Sequence, residues 1–202
     1  MKVKEGVRRG RSDLRRRQII SAALSCFVED GYANTTMDDI RLRSGASNGS
    51  IYHHFKSKEQ LAAAVYLEGI LDYQNGFLAV MRKSKQARKG VRSAISYHLH
   101  WVSLKPEWAR YLLQMGNTNL ASLSQEAISE SNLAFFGEIA VWFENRMKDG
   151  EVRRLPIEIC LPLLLAPCYE FSRLWLAGLA QSDISSASKM LSDAAWAALK
   201  AT

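Results

Sequence analysis

The chain has 202 residues, of which 48% are hydrophobic and 23% are charged, so we expect a globular core that needs no disulfide or metal to hold it together. Three cysteines without a CxxC pair exclude a secreted disulfide framework and a zinc site. No apolar segment of a signal peptide follows the basic N-terminus, and the longest apolar run, residues 159–168, is too short to span a bilayer. We therefore expect a cytoplasmic protein without membrane contact.

The positive charge is concentrated at the N-terminal end. The net charge is +7, and residues 1–60 carry +5 of it, with 12 Lys and Arg against 7 Asp and Glu. This asymmetry favours a polyanion as partner of the first third of the chain. A solvated basic tail is the alternative.

The residue pattern predicts an all-α fold, because no sustained period-two alternation indicates strands. Residues 1–11 are basic and lack periodicity, so we expect a flexible arm. A first helix is predicted from Ser12 or Asp13 to about Glu29, and Gly31 ends it. Its apolar positions share one face at helical spacing: Ile19, Ala22, Ala23, Cys26 and Phe27.

Two short helices and the start of a third follow. Thr35 or Thr36 caps the first of them, which ends at residues 44–45. Ser47 caps the next, which runs from Asn48 to Phe55. The spacing of Ser57 and Gln60 predicts a capping box at the start of a fourth helix.

Longer helices are predicted in the rest of the chain, for a total of about nine. Proline at residue 106 suits the first position of a helix that ends near Gly116. Pro162 and Pro167 are expected to kink a later helix or delay its start. The predicted spans are 88–104, 106–116, 123–148, 156–178 and 185–201.

Residues 36–55 have the features of a helix-turn-helix. Gly45 allows a close chain reversal, and the leading residues of the second helix, 47–50, are small or polar enough to enter a major groove. The amide of Asn48 can bond adenine in bidentate fashion. The polar tips of residues 52–54 suit phosphates, and Lys58 lies beside free backbone N–H groups of a helix start.

This segment resembles the DNA-binding signature of the TetR family of bacterial transcriptional regulators. The resemblance covers about residues 12–70, with matches at fixed offsets at Gly45, Ser47, Gly49, Tyr52, Phe55, Lys58 and Leu61. By this resemblance, the DNA-binding residues are Thr36, Ser47, Asn48, Gly49, Ser50, Tyr52, His53 and Lys58. Arg41 and Ser44 depart from the family, which usually has alanine there. For Tyr52, the alternative to DNA contact is a place in the core. For Arg41, the alternative to packing between the helices is that its side chain reaches toward phosphate.

The resemblance also implies a domain organisation. It gives an arm at 1–11, a three-helix DNA-binding domain at 12–70 and a helical domain at 71–202 for effector binding and dimerisation. The last two helices would pair with those of a second subunit, because their apolar residues are too many for a lone surface. Bulky groups at helical spacing are the candidate effector-binding residues, although such groups more often belong to a core: Tyr97, Trp101, Trp108, Tyr111, Phe135 and Trp142.

These features predict a homodimeric repressor that binds a palindromic operator in double-stranded DNA and is released by a small apolar or aromatic effector. An activator of the same family and a nonspecific DNA-packaging protein are the alternatives. We expect no enzyme, cofactor or metal, because no Walker loop, dinucleotide fingerprint, GxSxG or HExxH sequence is present. The sequence leaves open whether Cys160 or Cys168 senses redox state.

Overall fold

A computed structural model describes the backbone of residues 2–115 and 125–201, with side chains from residue 10 to 115 and from 126 to 201. The described residues form nine α-helices and no named strand, and this confirms the all-α prediction. One isolated antiparallel bridge joins Val152 to Lys200. The helices are α1 (Lys2–Glu29), α2 (Met37–Ser44), α3 (Asn48–His54), α4 (Lys58–Arg82), α5 (Ala87–Leu104), α6 (Pro106–Met115), α7 (Gln125–Lys148), α8 (Ile157–Leu176) and α9 (Ile184–Leu199).

The N-terminal arm differs from its prediction. Helix α1 begins at Lys2, so the expected helix start at Ser12 or Asp13 is wrong and residues 2–11 continue the same helix. The segment contains no proline, and its Lys, Arg and Glu residues favour helix despite the glycines at 6 and 10. Missing apolar periodicity shows that a segment has no apolar face to pack against the core. It does not show that the segment is not helical.

The chain divides into two compact units. The first comprises the residues up to Gly69, together with Tyr111–Met115 and the beginning of α7, to Ile128. The second comprises Ile70–Arg110 and the residues from Ser129 onward. Helices α4, α6 and α7 therefore each contribute to both units.

The core of the first unit is built on the predicted inner face of α1. All five predicted apolar residues of that helix are at most 7% exposed, which confirms the face. Ile40, Ile51, Phe55 and Leu61 are equally buried. Full burial of each large side chain contributes about 1.5–3 kcal/mol, and α2 packs directly against α1.

In the second unit, α5 packs against α8 and α9. Helix α8 starts at Ile157, directly after Pro156, and continues through Pro162 and Pro167, so the expected delay of its start is wrong. Each interior proline removes one main-chain hydrogen bond, which the packing of an apolar helix can offset. The predicted end of α6 near Gly116 and the predicted start of α7 at residue 123 lie outside the described residues.

Candidate nucleic-acid interface

Helix α2 is fixed at its N-terminus by a complete capping box. The hydroxyl oxygen of Thr36 accepts the Asp39 main-chain N–H at 3.2 Å, and the Asp39 carboxylate accepts the Thr36 main-chain N–H at 2.8 Å. The Thr36 hydroxyl also donates to the Asp39 carboxylate, and this bond, with that from the Thr36 N–H, holds the pKa of the Asp39 carboxyl below its usual range. Two otherwise unpaired backbone donors are thereby satisfied, so the start of α2 is well defined.

The turn between α2 and α3 depends on Gly45. Its φ of +62° lies in the left-handed region, where its N–H bonds back to the carbonyl groups of Arg41 and Leu42. Ser47 then caps α3, and its hydroxyl oxygen accepts the Ser50 N–H at 3.2 Å. A short, tightly closed turn of this kind sets the crossing of the two helices.

The inner faces of the two short helices are fully packed, and the start of α3 is left outside. Ala46, Ile51 and Phe55 are at most 5% exposed. Ser47, Asn48 and Gly49 are exposed, and Ser50 is half-buried. No described heavy atom lies within 4 Å of a Cβ built on Gly49. The first turn of α3 is therefore free to approach a groove with its backbone.

The other predicted contact residues surround this turn. Tyr52 is 48% exposed, so its side chain is available for contact and is not part of the core. His53 is exposed, whereas burial and, to a smaller extent, the neighbouring His53 lower the pKa of the half-buried His54. Thr36 is exposed, but its hydroxyl donates to the Asp39 carboxylate at 2.6 Å. A phosphate would have to compete with this internal bond.

Lys58 has its bonding capacity engaged inside the first unit. Its ammonium group donates to the carbonyl oxygens of Tyr32 and Thr35 at 2.9 Å each, and to that of Ala33 at 3.3 Å. It also lies 4.6 Å from the centre of the Tyr32 ring. Three acceptors use all three ammonium donors, so in this geometry Lys58 ties α4 to the connection before α2 and has no donor left for a phosphate.

Arginines of α1 and α2 lie around the same helices. Arg41 pairs with Asp38 at 2.6 Å, and its side chain is 26% exposed. Arg43 pairs with Glu29. Arg16 lies 5.4 Å from the centre of the Phe55 ring and 3.7 Å from the Glu68 carboxylate. Among the described residues, no group of three or more His, Cys, Asp or Glu is placed to hold a metal.

The six predicted effector residues do not form one group. Tyr97, Trp101 and Phe135 surround the ring of Tyr73 in the second unit, with centroid distances of 6.0, 5.2 and 6.4 Å. Tyr111, in contrast, belongs to the core of the first unit. There it stacks on Phe27 at 5.7 Å and its hydroxyl donates to the Ala62 carbonyl.

The two remaining tryptophans occupy other places. Trp108 is half-buried on α6. Trp142 packs edge-on against Phe143 and lies so close to α5 that a Cβ on Gly90 would be 2.2 Å from its ring. The indole nitrogen of Trp142 is buried without a hydrogen-bond partner among the described residues.

A buried polar network lies beside the aromatic cluster, and its partners Tyr73 and Ser172 were not predicted from the sequence. The imidazole of His98 bonds the Tyr73 hydroxyl at 2.9 Å through Nδ1 and the Ser172 hydroxyl at 3.1 Å through Nε2. Burial lowers the pKa of His98 to about 4, so the ring is neutral at pH 7. Tyr73 and Phe77 are spaced i, i+4 on α4, and this spacing is the signal that could have indicated their shared inner face.

Helices α8 and α9 leave an apolar groove uncovered. It has a volume of about 440 Å³ and includes Ile159, Leu163, Ala194 and Ala198 in its lining. Among the apolar residues of these two helices, Leu164, Leu165, Ala195 and Leu199 are at most 6% exposed within the chain. Leu164 and Ala195 still line the groove, so buried and exposed residues of the two helices share this face.

Helix α8 is apolar beyond its predicted ten-residue run. Within the described residues it is the one helix long and apolar enough to cross a membrane, and 33% of its most apolar window is buried. Length and composition alone do not distinguish a spanning helix from a packing helix.

Cys160 and Cys168 on this helix are buried and free. Burial raises the pKa of Cys168 to about 12 and raises that of Cys160, so both thiols are protonated at neutral pH.

The fold and the exposed first turn of α3 define an all-helical protein with an N-terminal helix-turn-helix. Residues 19–65 match the profile of bacterial regulatory proteins of the tetR family. The chain thus carries the N-terminal domain of the TetR family, as predicted from residues 12–70.

Relatives named as transcriptional regulators match between a third and about half of the chain. The HTH-type transcriptional activator FasR of Mycolicibacterium smegmatis is 30% identical over 54% of this chain and 51% of its own length. The HTH-type transcriptional repressor AcnR of Corynebacterium diphtheriae is 36% identical over 34% of this chain and 39% of its own length. The chain therefore aligns with about half or less of these relatives.

Solved structures share the fold along most of the chain. A TetR-family regulator from Marinobacter aquaeolei VT8 has a TM-score of 0.82 at 18% identity and covers 96% of this chain and 100% of its own. The regulator FadR from Bacillus subtilis, solved in complex with stearoyl-CoA, has a TM-score of 0.75 at 18% identity and covers 89% of this chain and 96% of its own. At this identity the likeness concerns the fold.

Proposed function

We propose that the chain is a transcriptional regulator that binds a palindromic operator as a homodimer. The observation that carries this proposal is the first turn of α3, Ser47–Gly49, which is exposed while the residues on both sides of it are packed or capped. A recognition helix needs this combination, because its leading side chains must meet base edges at a fixed angle.

Each predicted contact residue then has a distinct role. Asn48 reads a base edge through its amide, and Gly49 lets the backbone approach the duplex. Tyr52 and His53 contact the phosphate backbone, with the hydroxyls of Ser47 and Ser50 beside them. Thr36 and Lys58 act mainly as positioning residues, because their polar groups already bond within the first unit.

Selection of bound sequences from random duplex DNA tests this proposal. A homodimer with two recognition helices should return a palindrome whose half-sites lie one helical turn, about 34 Å, apart. A pool without enrichment would instead identify a nonspecific DNA-packaging protein. Such a protein would depend on the positive charge of the first 60 residues and show no sequence preference.

The dimer surface in this proposal is the groove between α8 and α9. Its apolar lining is continuous with Leu191 and Ala195 of α9, and two such helix pairs related by a twofold axis would bury both faces. Ala194→Arg places a charge in the groove and is expected to give a monomer in sedimentation equilibrium. Ala197→Arg is a matched control on the same helix, because Ala197 is exposed and outside the groove lining.

The effector in this proposal is a small apolar molecule that occupies the aromatic cluster around Tyr73. The cluster offers aromatic walls and the neutral His98 network as one polar point. The bound stearoyl-CoA in the structurally similar FadR supports an apolar effector with a polar end. Release of operator DNA by an apolar ligand, weakened by Phe135→Ala, would support this assignment.

Repression is the direction we propose, with release of DNA when the effector binds the alternative state more tightly. Activation requires only the opposite preference, and FasR is a relative named as an activator. A reporter gene behind the selected operator distinguishes the two. Deletion of the regulator should raise expression if it is a repressor and lower it if it is an activator.

A further inference from the structure

An open cavity of about 920 Å³ lies in the second unit, on the side of α5 that faces the start of α9. It is separate from the apolar groove of α8 and α9, since the two have no lining residue in common. The described lining consists of two permanent cations, one histidine, six serines, Tyr97, Val80 and Ile184. None of these twelve lining residues is acidic.

The charges are placed on opposing helices. Arg92 lies on α5 and Lys189 on α9, and both side chains are exposed. His100 lies two turns after Arg92 on α5. Two cations without a carboxylate in the lining give a cavity of one sign, which attracts an anion. Arginine and lysine are also the side chains that most often bind phosphate oxygens.

Serine hydroxyls supply the remaining donors. Ser96 of α5 and Ser188 of α9 bond to each other through their hydroxyls at 2.8 Å. Of the other lining serines, Ser186 and Ser103 donate their hydroxyls to the Asp183 carboxylate and the His100 carbonyl, whereas Ser93 and Ser185 add two more hydroxyls to the lining. A phosphoester has several acceptor oxygens and no donor of its own under neutral conditions, so a wall of hydroxyls and cations is complementary to it.

The site does not depend on the free N–H groups of a helix start. Asp183 caps α9, where its carboxylate accepts the main-chain N–H of Ser186 at 2.9 Å and the Ser186 hydroxyl at 2.8 Å. These bonds lower the pKa of Asp183, so the helix end is already satisfied by a carboxylate. The attraction for an anion comes from the side chains of the cavity.

We propose that this cavity binds a phosphorylated small molecule of nucleotide size. Its volume lies within the range of small-molecule sites, about 300–1,000 Å³. The ring of Tyr97 and the side chains of Val80 and Ile184 offer apolar surface for the unphosphorylated part of the ligand. The assignment is independent of the proposed function, because the site lies in the second unit and its binding is measured without DNA.

Isothermal titration calorimetry of the full chain with ADP, inorganic pyrophosphate and adenosine tests this assignment. ADP and pyrophosphate should bind with one site per chain, and adenosine should not bind. The variant Arg92→Gln/Lys189→Gln should bind ADP at least about tenfold more weakly, because it removes both charged donors of the lining, whose exposed positions limit the strength of each bond. Ser93→Glu, which introduces a carboxylate into the lining, should abolish binding.

The matched control is Arg88→Gln/Lys148→Gln. It removes the same charge from exposed positions on α5 and α7 outside the cavity, and it should bind ADP as the unchanged chain does. The assignment is overturned if ADP and pyrophosphate fail to bind, if adenosine binds as well as ADP, or if the control pair weakens binding equally. It is also overturned if Arg92→Gln/Lys189→Gln weakens the binding of random duplex DNA as much as the binding of ADP. In that case the two cations would bind the phosphates of a nucleic acid.

Discussion

Replacement of Lys58 by methionine separates a structural role of the ammonium group from a role as a phosphate ligand. The two short bonds, to the carbonyl oxygens of Tyr32 and Thr35, are each 2.9 Å long. Allowing about 1 kcal/mol for each bond at a half-buried site gives a loss of about 2 kcal/mol. This corresponds to about a thirtyfold change in the equilibrium for local opening.

Hydrogen exchange measured by mass spectrometry is the assay, because it reports local opening of the segment that Lys58 holds. In Lys58→Met, exchange in α2 and in the connection before it should be faster by about thirtyfold. Lys56→Met is the control, since Lys56 is exposed two residues earlier and its loss changes the charge equally. Unchanged exchange in Lys58→Met, with only a weaker salt dependence of duplex binding, would refute the structural role.

Three further predictions address the turn, the aromatic cluster and the buried histidine. Gly45→Ala should lower the free energy of unfolding by about 1 kcal/mol, because φ is +62° at this residue. Gly49→Ala should leave the free energy of unfolding unchanged and weaken duplex binding. Equal losses of stability for the two variants in urea denaturation would contradict this contrast. Gly76→Ala should destabilise the second unit, because its Cβ would lie 2.0 Å from the Tyr97 hydroxyl oxygen. Adding Tyr97→Ala should recover part of that loss, and strictly additive effects in a double-mutant cycle would argue against the contact. The pKa of His98 is about 4 in the folded chain, against 6.5 for an ordinary histidine. Between pH 4 and pH 6.5, the His98 side chain is therefore protonated in the unfolded state and neutral in the folded state. Stability should therefore fall by up to about 3 kcal/mol as the pH drops from 6.5 to 4, and a His98→Gln variant with the same pH dependence would show that another group is responsible.

The helix-turn-helix could be predicted closely because its signals are local. Capping residues, a left-handed glycine and i, i+4 apolar pairs each act within a few residues, and Thr36, Gly45 and Ser47 have the predicted conformations. The capping box of α4 was half right. Ser57 accepts the Gln60 N–H as expected, but the Gln60 side chain accepts the Lys56 N–H, one residue earlier than predicted.

Other errors and omissions concern interactions between distant residues. The bonds from Lys58 to carbonyl groups 23 to 26 residues earlier leave no trace in the local pattern. Tyr111 has the spacing of its helix neighbours, yet it packs with Phe27 in the first unit. Bulky aromatic residues indicate burial from the sequence, but which of two cores they join depends on tertiary packing.

The most direct test of the account compares the sequences selected from random duplex DNA by the unchanged chain and by Asn48→Ala. If the first turn of α3 reads base edges, the variant should retain the palindrome and its spacing but lose preference at one base pair in each half-site, at a cost of about 1–3 kcal/mol in discrimination. An unchanged selected sequence, bound more weakly at every position alike, would contradict the assignment of α3 as the helix that reads DNA.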